Sequence, residues 1–199
     1  SSPSRITITL VKYRGFLCHI FIARNSFSHT SITRKSLQSK GLPEMYLQTN
    51  SEILCYFAQK IFMFENKVVV VTGGTEGIGR SLVEQFLQRK ALVATCGRSI
   101  EKIEQLKTGL PHPNLFILQC DVSEEASAKK FVEETILKFG KIDILVNNAG
   151  ISMRSLFKDV SLDAMKKVMD VNFWGAVHCT KFALDSLVQQ KGIIVGVSS

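Results

Sequence analysis

The sequence predicts an α/β fold: a doubly wound parallel sheet with helices packed against it. Three observations lead there. Short apolar, β-branched runs recur between residues 63 and 199, and each has the length of a buried strand. Longer stretches between them return their apolar residues at helical spacing. Glycine, serine or proline punctuates most of the junctions. Strands therefore alternate with helices, and that rhythm means parallel strands joined by helical crossovers.

The elements follow in order. Lys67–Val71 (KVVVV) reads as a strand buried on both faces, ending at Thr72-Gly73-Gly74. Ile78, Leu82, Val83, Phe86 and Leu87 then mark one face of a helix. Leu92–Cys96 is a second strand. Ser99 is placed to cap a short helix to about Lys107, closed by Gly109 and Pro111. Leu115–Cys120 is a third strand. Ser123 is placed to cap the next helix, where Glu124 and Glu125 suit the positive end of the dipole. That helix shows Phe131, Val132, Thr135, Ile136 and Phe139 on one face and stops at Gly140. Ile142–Val146 is a fourth strand. A long helix runs from about Ser161 to Gln190, Gly192 breaks it, and Ile193–Val197 is the fifth strand.

Composition narrows the function. The chain has 199 residues, 45% of them hydrophobic and 21% charged, which suits one soluble globular domain. Its formal net charge of +8 is unevenly placed. Residues 1–62 hold eight Lys/Arg against Glu44 and Glu52, whereas residues 63–199 hold seventeen against fifteen. The body is nearly neutral, with no basic stripe, so nucleic acid is not an expected partner. The five cysteines form no C-x-x-C pair, and the four histidines show no ligand spacing. A reduced, intracellular protein without a metal site is expected.

The chain divides at Met63. Residues 1–62 are basic, Ser-rich and without an acid before Glu44. That composition fits an organelle transit peptide, which would make the location organellar rather than cytoplasmic. Translated upstream sequence, with the true start at Met63, and a small domain of its own stay open beside it. Leu17–Ala23 is too short to span a bilayer. This segment is not expected to pack onto residues 63–199.

Two places carry chemistry. In Thr72-Gly73-Gly74-Thr75-Glu76-Gly77-Ile78-Gly79, glycines at 73, 77 and 79 allow a tight turn and close backbone approach to a pyrophosphate. The following helix offers free N–H groups and its positive dipole end to the phosphates. The second strand ends Cys96-Gly97-Arg98-Ser99, where an acidic residue would accept from a ribose 2′-hydroxyl. Arg98 would instead pair with a 2′-phosphate, helped by the Ser99 hydroxyl. A solvated surface charge is the plainer alternative for Arg98.

Read together, these segments resemble the classical short-chain dehydrogenase/reductase family over about Phe64 to Ser199. Thr72–Gly79 matches its T-G-x-x-x-G-x-G loop, with Gly73, Thr75, Gly77, Ile78 and Gly79 at the cofactor. Asp121-Val122 matches the pair that contacts adenine. Asn147-Asn148-Ala149-Gly150 matches the N-N-A-G that steadies the sheet and lines the cofactor site. Asn172 matches the helix asparagine of the catalytic tetrad, and Ser199 the catalytic serine. Taken singly, Asp121 could be a turn or cap, Asn147 and Asn148 a loop, and Asn172 a polar residue satisfied within its helix. Their joint order is what carries the resemblance.

The resemblance implies a Rossmann-type sheet, incomplete at its C-terminal side, and an enzyme that interconverts a secondary alcohol and a carbonyl. NADP(H) is the preferred cofactor and NAD(H) a possible one, since Glu76 stands where some NADP-preferring members carry a basic residue. The family's Tyr-x-x-x-Lys is expected beyond Ser199. Tyr13, Tyr46 and Tyr56 all lie in the N-terminal segment and are not taken as substitutes. The residues given are therefore expected to bind nucleotide without turnover, and an inactive binding module is the rival. Ile193–Val197 is expected at an uncovered edge, and the complete protein as a homo-oligomer.

Overall fold

The structure is a computed structural model describing residues 63–198 and the backbone of residues 6–13 and 16–23. Its strands are β1 (Ile6–Tyr13), β2 (Phe16–Ala23), β3 (Val68–Thr72), β4 (Leu92–Gly97), β5 (Leu115–Gln119), β6 (Ile144–Asn147) and β7 (Ile193–Ser198). They form one sheet in the order β1-β2-β7-β6-β3-β4-β5. The five strands from β3 onward are mutually parallel, in register through Val71↔Thr95, Thr95↔Ile117, Val71↔Val146 and Val146↔Val195. The helices are α1 (Gly77–Gln88), α2 (Ile100–Gly109), α3 (Glu125–Phe139), α4 (Leu162–Met169) and α5 (Gly175–Gln189).

The valine run explains the layers. Side chains of a strand alternate between faces, so a strand covered on both must be apolar throughout. Val70 packs in one core with Ala94, Leu145, Phe131 and Val132 of α3, and Cys179 and Ala183 of α5. Val69 and Val71 face the other, with Val93, Val146, and Val83 and Leu87 of α1. All four valines are fully buried, and each contributes on the order of 1.5–3 kcal/mol. From β3 the chain winds outward through β4 to β5, then returns to β6 on the other flank of β3. That reversal opens a crevice at the carboxyl ends of β3 and β6.

Four sequence expectations need correction. The long helix is not continuous, because Asp170–Trp174 forms a wide π turn in which the Gly175 N–H donates to the Asp170 carbonyl. Gly175 there lies against Val122, leaving no room for a Cβ. Ser123 does not cap α3. Its N–H and hydroxyl both donate to Asp121 Oδ1, and the helix begins two residues later at Glu125. Nor is β7 an open edge: β2 pairs with it antiparallel, from His19↔Ser198 to Ala23↔Ile194, and β1 pairs with β2. Residues 6–23 thus join the sheet they were expected to leave alone. The reason is the strand's own unsatisfied edge, which offers a row of backbone donors and acceptors. Residues 24–62 lie outside the described residues.

Asp143 fastens the strand starts together. Its backbone N–H donates to the Val68 carbonyl and its carbonyl accepts from Ile193 N–H. Its buried carboxylate accepts from Lys67 Nζ at 2.8 Å and Val68 N–H at 2.9 Å, with Lys141 Nζ at 3.0 Å. Burial alone would raise this carboxyl, but the bonds from Lys67, Val68 and Lys141 outweigh it and hold the group below its ordinary value. The stability it contributes is therefore present above the ordinary carboxylate range and is lost as pH falls through the lowered folded value. Both lysines are partly exposed, so screening limits the effect. Asp143→Asn is expected to cost about 1–2 kcal/mol near neutrality. Melts across a pH series should show that deficit shrinking towards acid, and a deficit independent of pH would contradict the assignment.

Candidate functional site

A cleft of about 650 Å³ opens at that reversal, lined by the β3–α1 loop, the ends of β4 and β5, and the segment after β6. The loop is shaped by its glycines. Gly73 has φ +68°, and a Cβ on it would lie 2.9 Å from Ala149 Cα. Gly79 lets α1 approach so closely that a Cβ would meet the Gly73 carbonyl oxygen and Asn148 Nδ2. Gly77 has φ +56° with open space around it, between the cleft-lining residues Glu76 and Ile78. The first helical bond of α1 runs from Arg80 N–H to the Glu76 carbonyl. No side chain caps the helix and no acid sits in its first turn. The N–H groups ahead of Arg80 therefore have no intrahelical partner and stand at the positive end of the dipole. Ile78 is exposed at the cleft rather than packed with the apolar face of its helix.

The β4–β5 side carries the charges. Arg98 Nη1 lies 3.8 Å from Asp121 Oδ2, and both are partly exposed. Ser99 caps α2 by accepting from Lys102 N–H at 3.2 Å, so its oxygen is already used once as an acceptor. Lys102 Nζ in turn lies 2.6 Å from Glu76 Oε1. Cys96 and Cys120 sit beneath this end. A hydrogen bond with Cys120, then burial, push the Cys96 thiol well above its ordinary value. Burial pushes Cys179 up to about 12. Both are packing thiols rather than nucleophiles.

The segment after β6 is tied to β3 by one hydroxyl. Thr72 Oγ1 accepts from the N–H groups of Asn148 and Ala149, each at 3.0 Å. Asn148 Nδ2 donates to the carbonyls of Thr72 and Gly73, and Asn147 Nδ2 donates to Thr180 Oγ1 of α5. Asn172, in the π turn, bonds Ile151 twice: Oδ1 accepts its N–H at 2.8 Å and Nδ2 donates to its carbonyl at 3.0 Å. A π turn in the middle of a helix is a common mark of a functional position, and here it brings Asn172 beside Gly150.

The structure thus gathers Gly73, Thr75, Ile78, Gly79, Arg98, Ser99, Asp121, Val122, Asn148, Ala149 and Gly150 around one cleft, with Gly77 at its rim and Asn172 next to its wall. Ser199 lies outside the described residues; Ser198 ends β7 in an exposed position. Lys102, Ile151 and Val171 line the same cleft without a sequence expectation, and so does Glu76, which was expected only to bear on cofactor preference. For Lys102 the available signal was its place one turn beyond Arg98-Ser99. Tyr56 with Lys60 also has the Tyr-x-x-x-Lys spacing. That pair stands ahead of the glycine loop, opposite to the family's order, and outside the described residues. Among the described residues no group of three or more His, Cys, Asp or Glu could hold a metal ion, and no helix is long and apolar enough to cross a membrane.

The family model described as short chain dehydrogenase matches residues 67–199. The chain belongs to the short chain dehydrogenases. It is 37% identical over 154 residues to 11-beta-hydroxysteroid dehydrogenase-like 3 of Arabidopsis thaliana, covering 74% of this chain and 49% of that one. It is 34% identical over 136 residues to meso-2,3-butanediol dehydrogenase of Serratia marcescens, covering 68% and 54%. The chain spans about half the length of the curated relatives it matches. Among solved structures, a short-chain dehydrogenase/reductase described as glucose/ribitol dehydrogenase from Brucella melitensis superposes with TM-score 0.61 at 31% identity, covering 63% of this chain and 54% of that one. The aldohexose dehydrogenase of Thermoplasma acidophilum gives 0.57 at 26%, covering 64% and 47%.

Proposed function

We propose that this chain forms the nucleotide-binding part of an NADP(H)-preferring oxidoreductase that interconverts a secondary alcohol and a carbonyl, with NAD(H) bound more weakly. The observation that carries the reading is one cleft with the uncapped start of α1 on one side and Arg98 on the other. The residues fit a dinucleotide. Gly73 and Gly79 have no space for side chains, while Gly77 leaves its backbone bare, as close approach of a pyrophosphate requires. The nicotinamide, when bound, supplies the hydride chemistry.

The chain's own groups bind and position. The free N–H groups of α1 neutralise phosphate charge. Arg98 pairs with the 2′-phosphate, exchanging Asp121 for it. Asn172 holds Ile151, and with it the wall between cleft and substrate. Ser199 donates to the substrate oxygen and polarises it, while proton exchange at that oxygen is assigned to a Tyr-x-x-x-Lys beyond Ser199. The homologues named for hydroxysteroids and a butanediol support the substrate class. The free thiols of Cys96, Cys120 and Cys179 support a reduced, intracellular setting, cytoplasmic or organellar. Exposed Phe173, Trp174, Leu184 and Val188 support self-association of the complete protein.

Fluorescence titration of residues 1–199 with NADPH and NADH tests the reading. NADPH is expected to bind at least about tenfold tighter, the worth of one charge-assisted contact. Arg98→Asp should reverse the order, because a carboxylate repels the phosphate and accepts from ribose hydroxyls. No steady-state oxidation of NADPH with a carbonyl substrate is expected from residues 1–199, because the general acid is assigned to residues beyond Ser199. Equal affinity for the two cofactors would reject the preference, and turnover at the rate of a complete enzyme would reject the division of labour.

A further inference from the structure

Four charged side chains meet at the β4–β5 end of the cleft: Arg98, Lys102, Glu76 and Asp121. They balance in two pairs, Arg98 with Asp121 and Lys102 with Glu76. The second pair is the closer and bridges two elements that a bound nucleotide would touch, the glycine loop and the first turn of α2. Lys102 is fixed there from its backbone, since its N–H bonds the Ser99 cap. Lys102, Ser99 and Arg98 thus line the same end of one cleft.

We propose that Lys102 is a second cation for the cofactor's 2′-phosphate and that Glu76 holds it in reserve, so that the Glu76–Lys102 pair helps set discrimination between phosphorylated and unphosphorylated ribose. The inference rests on the nucleotide cleft proposed above. Its physical basis is an exchange. Lys102 is 44% and Glu76 67% exposed, and a pair so open to solvent is weak and easily parted. A phosphate monoester carries about −1.5 to −2 charge at neutral pH, so it competes well against one carboxylate for the ammonium. Glu76 is left near the incoming dianion and repels it. The pair thus lowers affinity for a phosphorylated ribose below what Arg98 and Lys102 together would give. It leaves an unphosphorylated ribose almost untouched.

Calorimetric titration of the 1–199 chain with 2′,5′-ADP and with 5′-ADP tests this. Lys102→Met is expected to weaken 2′,5′-ADP about five- to tenfold and to change 5′-ADP by less than about twofold. Glu76→Gln is expected to tighten 2′,5′-ADP about threefold or more, with 5′-ADP again nearly unchanged. In the double variant the gain from Glu76→Gln should shrink, since part of it acts through Lys102. Equal losses for both ligands in Lys102→Met, or no loss for either, would overturn the assignment. A full Glu76→Gln gain without Lys102 would overturn the idea of a cation held in reserve. If the unaltered chain bound neither nucleotide, the proposed cleft would fall, and this inference with it.

Discussion

Replacing Gly79 with alanine is expected to weaken nucleotide binding on the order of 100-fold while leaving most of the fold in place. The added Cβ would stand 2.3 Å from the Gly73 carbonyl oxygen and 2.5 Å from Asn148 Nδ2. Neither neighbour is the free end of a flexible chain. The carbonyl belongs to the glycine turn, and the amide is fixed by its bonds to the carbonyls of Thr72 and Gly73. Relief must come from α1, whose start would withdraw by roughly 1 Å to restore ordinary contact. Such overpacking costs about 1–3 kcal/mol of stability. A displacement of that size at groups that must meet a ligand costs on the order of 100-fold. Calorimetry with 5′-ADP beside a thermal melt separates the two effects. Gly140→Ala is the control, because its Cβ enters open space away from the cleft and only the left-handed backbone is penalised, by about 1–2 kcal/mol. A folded Gly79→Ala chain that bound 5′-ADP within threefold of the parent would contradict the role given to this glycine.

The parallel sheet was legible because its strands are buried on both faces, which forces runs such as Val68–Val71 to be apolar without alternation. The glycine loop was legible for a related reason: close approach tolerates no side chain, so the requirement is written in residue type. What could not be read lies in tertiary exchange of partners. Ser123 has the chemistry of a cap, but Asp121 offers its backbone and hydroxyl an acceptor two residues away, and the helix starts later. Ser161–Gln190 keeps helical periodicity across the π turn, since one extra residue hardly disturbs an apolar pattern of that length. The edge hairpin was missed although ITITLVKY and FLCHIFIA are strand-like runs separated by Arg14-Gly15. Lys102 and Glu76 are 26 residues apart, and nothing local in either announces the other.

Thr72→Val is expected to be among the most destabilising isosteric changes in the chain. Thr72 ends the central strand β3 and is 2% exposed. Its hydroxyl accepts from two backbone N–H groups, those of Asn148 and Ala149, and its own proton is directed at the Val146 carbonyl at 3.4 Å. Valine fills the same space and removes all three bonds at once. The neighbours cannot rotate to find substitutes, since both donors are backbone and the adjoining Asn148 side chain is already committed. Each donor stranded away from water costs about 1–3 kcal/mol. Partial exposure of residues 148 and 149 places the sum near the low end, about 2–4 kcal/mol. Because the same N–H groups hold the Asn148–Ala149 wall of the cleft, affinity for 5′-ADP should fall together with stability. Thr72→Ser keeps the oxygen and loses one buried methyl, for which about 1 kcal/mol is expected. Urea unfolding of the three chains decides the matter. A valine variant within about 0.5 kcal/mol of the parent, or a serine variant as damaged as valine, would show that shape rather than the hydroxyl holds this joint between β3 and β6.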